Sequence, residues 1–307
     1  MRHEHPPWAK ELQDTPFAKH PFTRAISDQV VHRTRQSTPR RMKRRRLSFV
    51  TISAVVVSIV LVLTWNLENT ISPQEEVRST YSEHNVPLFQ MFPDPNLAAG
   101  SESGYMVSFK EPFEKYKDKT LSIIATHLES GLQVQAADES RISEPSSGYD
   151  TLGRYTFSCG LPISGLWRYE FKLDGEFYGD VIIQVGEPSW GESPSFQLGN
   201  GTKYTLRGKE GRAAILDIPF LANRSNKYMW YLWGEEDRLD GQLVIKAVKE
   251  GSYDMMDVFS ASSTGAASYG ADRMFPSSIL LPESGMWRLL IYVDGKLFDS
   301  IVVRVSS

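Results

Sequence analysis

Residues 161–185 read LPISGLWRYEFKLDGEFYGDVIIQV, and residues 281–305 read LPESGMWRLLIYVDGKLFDSIVVRV. The two stretches align without a gap at an offset of 120, and nine of the 25 positions are identical. Most other pairs are exchanges such as Leu166/Met286 or Ile183/Val303. Such self-similarity at a fixed spacing marks a duplicated domain. Each copy explains itself as a β-hairpin. Trp167, Tyr169, Phe171 and Leu173 alternate with Arg168, Glu170 and Lys172, so period two sets the apolar row on one face and the charges on the other. Asp174-Gly175 supplies a two-residue turn, because Gly tolerates positive φ, and Val181, Ile183 and Val185 return. The second copy repeats this with Trp287, Leu289, Ile291 and Val293, the turn Asp294-Gly295, and Ile301, Val303 and Val305. The copies differ on the other face, where Glu170 and Lys172 become Leu290 and Tyr292. That partly apolar surface is either covered by another strand or open to a partner.

Weaker echoes lie upstream. Glu111-Pro112-Phe113 resembles Ile218-Pro219-Phe220, Leu121–Ala125 sits where Tyr228–Leu232 sits, and Gly131-Leu132-Gln133-Val134 matches Gly241-Gln242-Leu243-Val244. Short strands with polar turns predict an all-β fold of two tandem immunoglobulin-like β-sandwiches, at 87–186 and 190–307. The linker between them is Gly186-Glu187-Pro188-Ser189, short enough to restrict relative motion. Residues 66–86 read as a polar stalk and 260–270, rich in Ser, Ala and Gly, as a long flexible loop.

Ahead of the stalk, residues 47–65 carry no charge and are apolar enough to enter lipid. As a helix, nineteen residues rise about 28 Å, close to the hydrocarbon thickness of a bilayer. Arg40, Arg41, Lys43, Arg44, Arg45 and Arg46 precede the segment, and Glu68, Glu75 and Glu76 follow it. The positive side stays in the cytoplasm, which predicts one transmembrane helix with the C-terminal part outside. A cleaved signal peptide is the weaker reading, because 46 residues precede the apolar run and no small-residue cleavage pattern follows Trp65. The charge is split to match. Residues 1–46 hold twelve Lys and Arg against four Asp and Glu, while the rest holds 22 basic and 33 acidic residues, a net −11. An acidic, aromatic-rich region of this kind lacks the basic face of a nucleic-acid binder.

The cytoplasmic tail, 1–46, reads as short helical or disordered. It either touches anionic headgroups or docks a cytoplasmic protein through Trp8, Phe17 and Phe22, with Leu12 and Ile26 beside them. The single cysteine, Cys159, reads as a small buried apolar residue, with an intermolecular disulfide as the sharper reading. A large external region without disulfides fits the surface of a bacterium. The sequons at Asn200 and Asn223 then read as polar turns.

In the second copy, Tyr228-Met229-Trp230-Tyr231-Leu232-Trp233 is unusually aromatic. Tyr228 and Trp230 point one way, Tyr231 and Trp233 the other, and a sandwich buries one inner face. Either a neighbouring loop covers the second face, or Tyr228, Trp230, Tyr231 and Trp233 offer a ligand surface for a sugar or peptide. This stretch, with Ser193-Pro194-x-Phe196, Gly208-Lys209-Glu210-Gly211-Arg212 and Ser284-Gly285-Met286-Trp287-Arg288, resembles the family named domain of unknown function 4871. The family occurs in secreted lipoproteins of Gram-positive bacilli. The resemblance spans about 190–307 and implies an extracytoplasmic domain without assigned chemistry, so no catalytic residue carries over. No cysteine stands directly after the apolar segment, so the anchor expected here is the helix itself rather than a lipid.

Catalytic patterns are missing from the sequence. Beyond the apolar segment the histidines are His84 and His127, which leaves no material for a His triad or an H-E-x-x-H zinc site. The acidic run Glu235, Glu236, Asp237 and Asp240 lacks EF-hand spacing and reads as a solvated turn. No cofactor, metal or enzymatic activity is expected. The leading expectation is a membrane-anchored extracytoplasmic binding protein of a bacterial envelope, with the lipid bilayer and an envelope protein or polysaccharide as partners. The alternative is a transmembrane regulator that senses outside and holds a partner such as a sigma factor through its tail.

Overall fold

The computed structural model describes residues 76–198 and 204–307. The tail with Trp8, Phe17 and Phe22, the apolar segment 47–65 and the sequon at Asn200 lie outside the described residues. Among the described residues, no helix is long and apolar enough to cross a membrane.

The first copy contains β1 (Thr80–Glu83), β2 (Val86–Pro93), β3 (Glu102–Phe109), β4 (Thr120–His127), β5 (Gln133–Arg141), β6 (Tyr155–Gly160), β7 (Gly165–Leu173) and β8 (Glu176–Val185). They pair as two sheets, β1-β2-β3-β6 and β5-β4-β7-β8. The second copy contains β9 (Ser195–Gln197), β10 (Thr205–Lys209), β11 (Ala213–Leu216), β12 (Phe220–Leu221), β13 (Asn226–Leu232), β14 (Leu243–Lys249), β15 (Met255–Ala261), β16 (Ala266–Ser268), β17 (Ala271–Ile279), β18 (Gly285–Val293) and β19 (Lys296–Ser306), with a one-turn helix α1 at Glu236–Leu239. Its sheets are β16-β17-β13-β11-β10-β9 and β12-β19-β18-β14-β15. In both copies a central strand of one sheet is flanked by non-consecutive partners, the Greek-key arrangement of an immunoglobulin-like sandwich.

The hairpins β7–β8 and β18–β19 match in detail. Asp174 and Gly175 take φ of 51° and 81°, and Asp294 and Gly295 take 47° and 75°, both two-residue turns of the primed kind. Each hairpin has a bulge at the same place. Phe171 pairs Gly179 and Lys172 pairs Phe177, leaving Tyr178 over; Ile291 pairs Asp299 and Tyr292 pairs Leu297, leaving Phe298 over. Each tryptophan indole also donates to a carbonyl four residues back, Trp167 to Ile163 and Trp287 to Glu283, both at 3.0 Å.

The upstream echoes do not survive. Strand order makes β13 the counterpart of β3, since each is the second central strand of its sheet, and β14 the counterpart of β4. Leu121–Ala125 therefore corresponds to a part of β14, not to the aromatic strand. The other two echoes fall on loops and strand starts at different points of the topology. The Leu121–Ala125 echo pairs residues 107 positions apart, whereas the offset of 120 between the hairpins carries Leu121 to position 241, at the entry to β14. Two boundaries also move. Residues 66–86 do not stay a stalk to their end: Arg78 bridges Ile182, and Tyr81 stacks on Phe89 at 5.7 Å. Gly179 makes that possible, because a Cβ there would lie 2.4 Å from the Tyr81 ring. Within 260–270, β16 pairs β17, and Gly265 at φ 83° lets the chain pass Met274 O where a Cβ would be 2.2 Å away.

The surface left undecided by the sequence is covered, and what covers it is the first copy. Leu290 is fully buried and, with Val248 and Leu297, belongs to the same apolar cluster as the core of the first sandwich; Tyr292 and Met255 pack against it. Gly160 permits the approach, since a Cβ there would lie 2.9 Å from that of Leu297. In the first copy the equivalent face stays wet, with Lys172 and Glu170 paired at 3.2 Å and each about one-third exposed. The described residues of both copies accordingly form one compact unit. Truncating Leu290→Ala should cost about 3 kcal/mol of stability in urea unfolding, whereas Glu170→Ala at the equivalent place should stay within about 0.5 kcal/mol.

Candidate functional site

The aromatic strand β13 is a core element and not an open platform. Trp230 is fully buried and donates to Ser277 Oγ at 2.8 Å, and Tyr228 stacks on Phe220 at 4.0 Å. On the opposite face Tyr231 is also buried, in a satellite cluster with Leu198, Leu206, Ala214 and Ala271. Trp233 is half-buried, and its indole donates to Gly270 O at 2.7 Å. The expected ligand surface thus fails for Tyr228, Trp230 and Tyr231, because β9 and β10 extend the sheet and their side chains fill the space beside the second face.

Concavity lies instead at the seam between the copies. One cleft of about 500 Å³ has Cys159, Gly160 and Leu297 in its floor. Its charges satisfy one another across the seam. Glu102 accepts from Ser158 Oγ at 2.8 Å and Arg238 at 2.5 Å, with Arg212 at 3.6 Å. Burial raises the Glu102 pKa, but these donors and cations outweigh it and hold the carboxyl below its usual value. Lys296 meets Asp138 at 2.6 Å, a pair so exposed that it adds little stability. The acidic run after Gly234 therefore contributes α1 and seam contacts through Arg238, more than a plain solvated turn. Burial, with the Glu102 charge behind it, pushes the Cys159 thiol up to about 12, so it stays a neutral, unreactive thiol.

The second cleft, about 530 Å³, opens on the other side of the seam, over Pro162, Ile163 and Val248. Trp190 from the linker side and Tyr253 from the turn after β14 form its aromatic walls. Arg288 is 2% exposed, donates to Ser189 O at 2.8 Å and lies 4.5 Å from the Trp190 ring centroid. Burial lowers its pKa to about 10, opposed by the Glu187 charge, so it remains a cation at neutral pH. Glu187 in turn accepts from the Trp190 indole at 2.5 Å and from Ser164 Oγ. An apolar floor, aromatic walls and a few fixed polar groups at a domain boundary are the usual make-up of a small-ligand site. These residues come from four separate segments, which no local pattern in the sequence joins. The usable signal was the replacement of Glu170 and Lys172 by Leu290 and Tyr292, which marks the dry face from which Arg288 projects.

Residues 184–303 match the family model for a domain of unknown function, DUF4871. Over that stretch the chain belongs to the DUF4871 family. A solved structure described as a lipoprotein from Bacillus anthracis is 32% identical, covering 38% of this chain and 87% of its own, with a TM-score of 0.32. The adhesin FdeC from Escherichia coli is 13% identical over 76% of this chain and 66% of its own, TM-score 0.23. A protein described as membrane-anchored from Corynebacterium diphtheriae is 9% identical over 71% and 59%, TM-score 0.24. Neither of these last two likenesses bears on function. Among curated proteins nothing matches the chain. Both clefts are walled jointly by the DUF4871 half and the first copy.

His127 sits behind Tyr253, their rings 4.9 Å apart across the seam. Its Nδ1 accepts from the Ser130 backbone N–H at 3.2 Å, which leaves the proton on Nε2. That atom is buried without a hydrogen-bond partner. Burial lowers the imidazole pKa below the usual 6.5, more than the nearby Ser164 backbone and Glu129 raise it. A base with a depressed folded pKa is protonated more readily when unfolded, so its contribution holds above 6.5 and is lost as pH falls. The stability gap between the native chain and His127→Gln, read from urea midpoints, should narrow steadily below pH 6.5.

Proposed function

We propose that this chain is a binding protein of a bacterial envelope, held in the membrane by residues 47–65, with 1–46 inside and the two-sandwich unit outside. The observation that supports binding most directly is the second seam cleft. It joins Trp190, Tyr253 and Arg288 over an apolar floor, and neither copy alone has all of its walls. Orientation rests on the arginine run at 40–46 and the acidic residues after position 66. His84 occupies the β1–β2 turn at φ 50°, and His127 is sealed beneath Tyr253, so neither presents a free imidazole to the cleft.

In intact cells carrying a C-terminal tag, added protease should remove the tag. A tag cut only after permeabilisation would overturn the orientation. The detergent-purified full chain should be retained on isolated envelope material, and Trp190→Ala with Tyr253→Ala should reduce retention. Equal recovery with and without envelope would remove the binding reading.

A further inference from the structure

Comparing the copies with each other isolates one residue. Arg168 on β7 and Arg288 on β18 hold the same register, opposite Ile182 and Val302. In the first copy the arginine has a strand-borne carboxylate: Arg168 Nε lies 3.4 Å from Asp180, which Arg78 also reaches at 2.5 Å. Asp180 stands opposite Glu170, and the residue in that place opposite Leu290 is Ser300. Arg288 has therefore lost the counter-charge while passing from a half-exposed setting to 2% exposure. Among the described residues, no carboxylate pairs with it within 4.0 Å. Glu187 acts on it only through space, while its oxygens each accept one hydrogen bond, from Trp190 and Ser164.

A desolvated guanidinium without its carboxylate is costly to keep. Room is nonetheless kept for it. At Gly100, φ 87°, a Cβ would lie 2.9 Å from Arg288 Cδ and Nη1 and from Ser300 Oγ. A guanidinium fork recognises carboxylates by paired N–H donors. Around it stand the exposed carboxylates Glu129, Glu187 and Glu250, which repel a plain anion and attract a cation. A ligand that suits both brings its own ammonium.

We propose that this cleft binds a zwitterion of the amino-acid type, a free amino acid or a short peptide with free ends. Its carboxylate sits on Arg288, its ammonium lies among the three glutamates, and its apolar part rests on Val248 and Tyr253. The volume, about 530 Å³, accommodates a dipeptide with ease. The assignment rests on reading the chain as a binding protein and narrows it to a ligand class.

Calorimetric titration of the detergent-purified full chain tests this with alanyl-alanine, acetate and methylammonium as probes. The dipeptide should bind saturably, and each half-ligand should bind at least about tenfold more weakly. Ser300→Asp restores the carboxylate of the first copy, and Arg288→Met removes the charge from a buried site that tolerates an apolar chain. Both should weaken the dipeptide by about tenfold or more, with the urea midpoint of Arg288→Met at or above that of the native chain. No saturable dipeptide binding, binding unchanged in Arg288→Met, or acetate binding as tightly as the dipeptide would each overturn the assignment. Retention on envelope material without dipeptide binding would sink this inference alone and leave the binding-protein reading standing.

Discussion

The burial of Leu290 against the first sandwich is the contact on which the rest of the architecture depends. A sandwich needs only its inner faces dry, and the first copy keeps the outer face of β7 polar with Glu170 and Lys172. In the second copy that face carries Leu290 and Tyr292, whose apolar surface water solvates poorly, beside the buried Arg288. Docking the two copies removes the exposed apolar surface and fixes the short linker from Gly186 to Ser189 along the seam. The clefts follow from the same geometry. Residues of both copies line each cleft, one beside Cys159 and Leu297 and the other beside Trp190 and Tyr253.

Duplication preserved what folds a hairpin and changed what a face meets. The primed turn, the bulge and the indole-to-carbonyl bond recur because each satisfies backbone geometry or a buried donor locally. The bulged aromatic went two ways. Tyr178 donates to Glu111 and meets Tyr116 at 2.8 Å within the first sandwich. Phe298 lies under the Arg212 guanidinium, 3.7 Å from ring centroid to cation, and Arg212 also donates to its carbonyl at 2.8 Å. A single structural device therefore anchors a phenol cluster in one copy and a seam cation in the other.

The electrostatics of the seam divide in the same way. Charges in the Cys159 cleft are paired with neighbours from the opposite copy and half-exposed, so they set alignment more than stability. Arg288 is different in kind, because its desolvation is nearly complete and Ser300 stands where the first copy has the carboxylate Asp180. Exposed ion pairs are cheap to gain or lose. A buried cation kept beside a glycine that makes room for it is the costlier feature, and so the more informative one.

The alternation of Trp167, Tyr169, Phe171 and Leu173, the Asp-Gly turns and the offset of 120 were enough to read an all-β duplicated chain from residues alone, because period two and turn chemistry act within a few neighbours. The DUF4871 half was legible for the same reason, through short motifs. Which strand corresponds to which upstream was misread from short apolar runs that look alike in β4 and β13, and hydrogen-bonded order identifies β13 with β3. The fate of Tyr228, Trp230 and Tyr231 was not legible, since their alternation says that two faces are apolar but not what lies over them. The site was out of reach altogether. Trp190, Tyr253, Glu129 and Arg288 come from distant segments, and only the packing of one sandwich on the other, a long-range burial of Leu290 and Tyr292, brings them to one cleft.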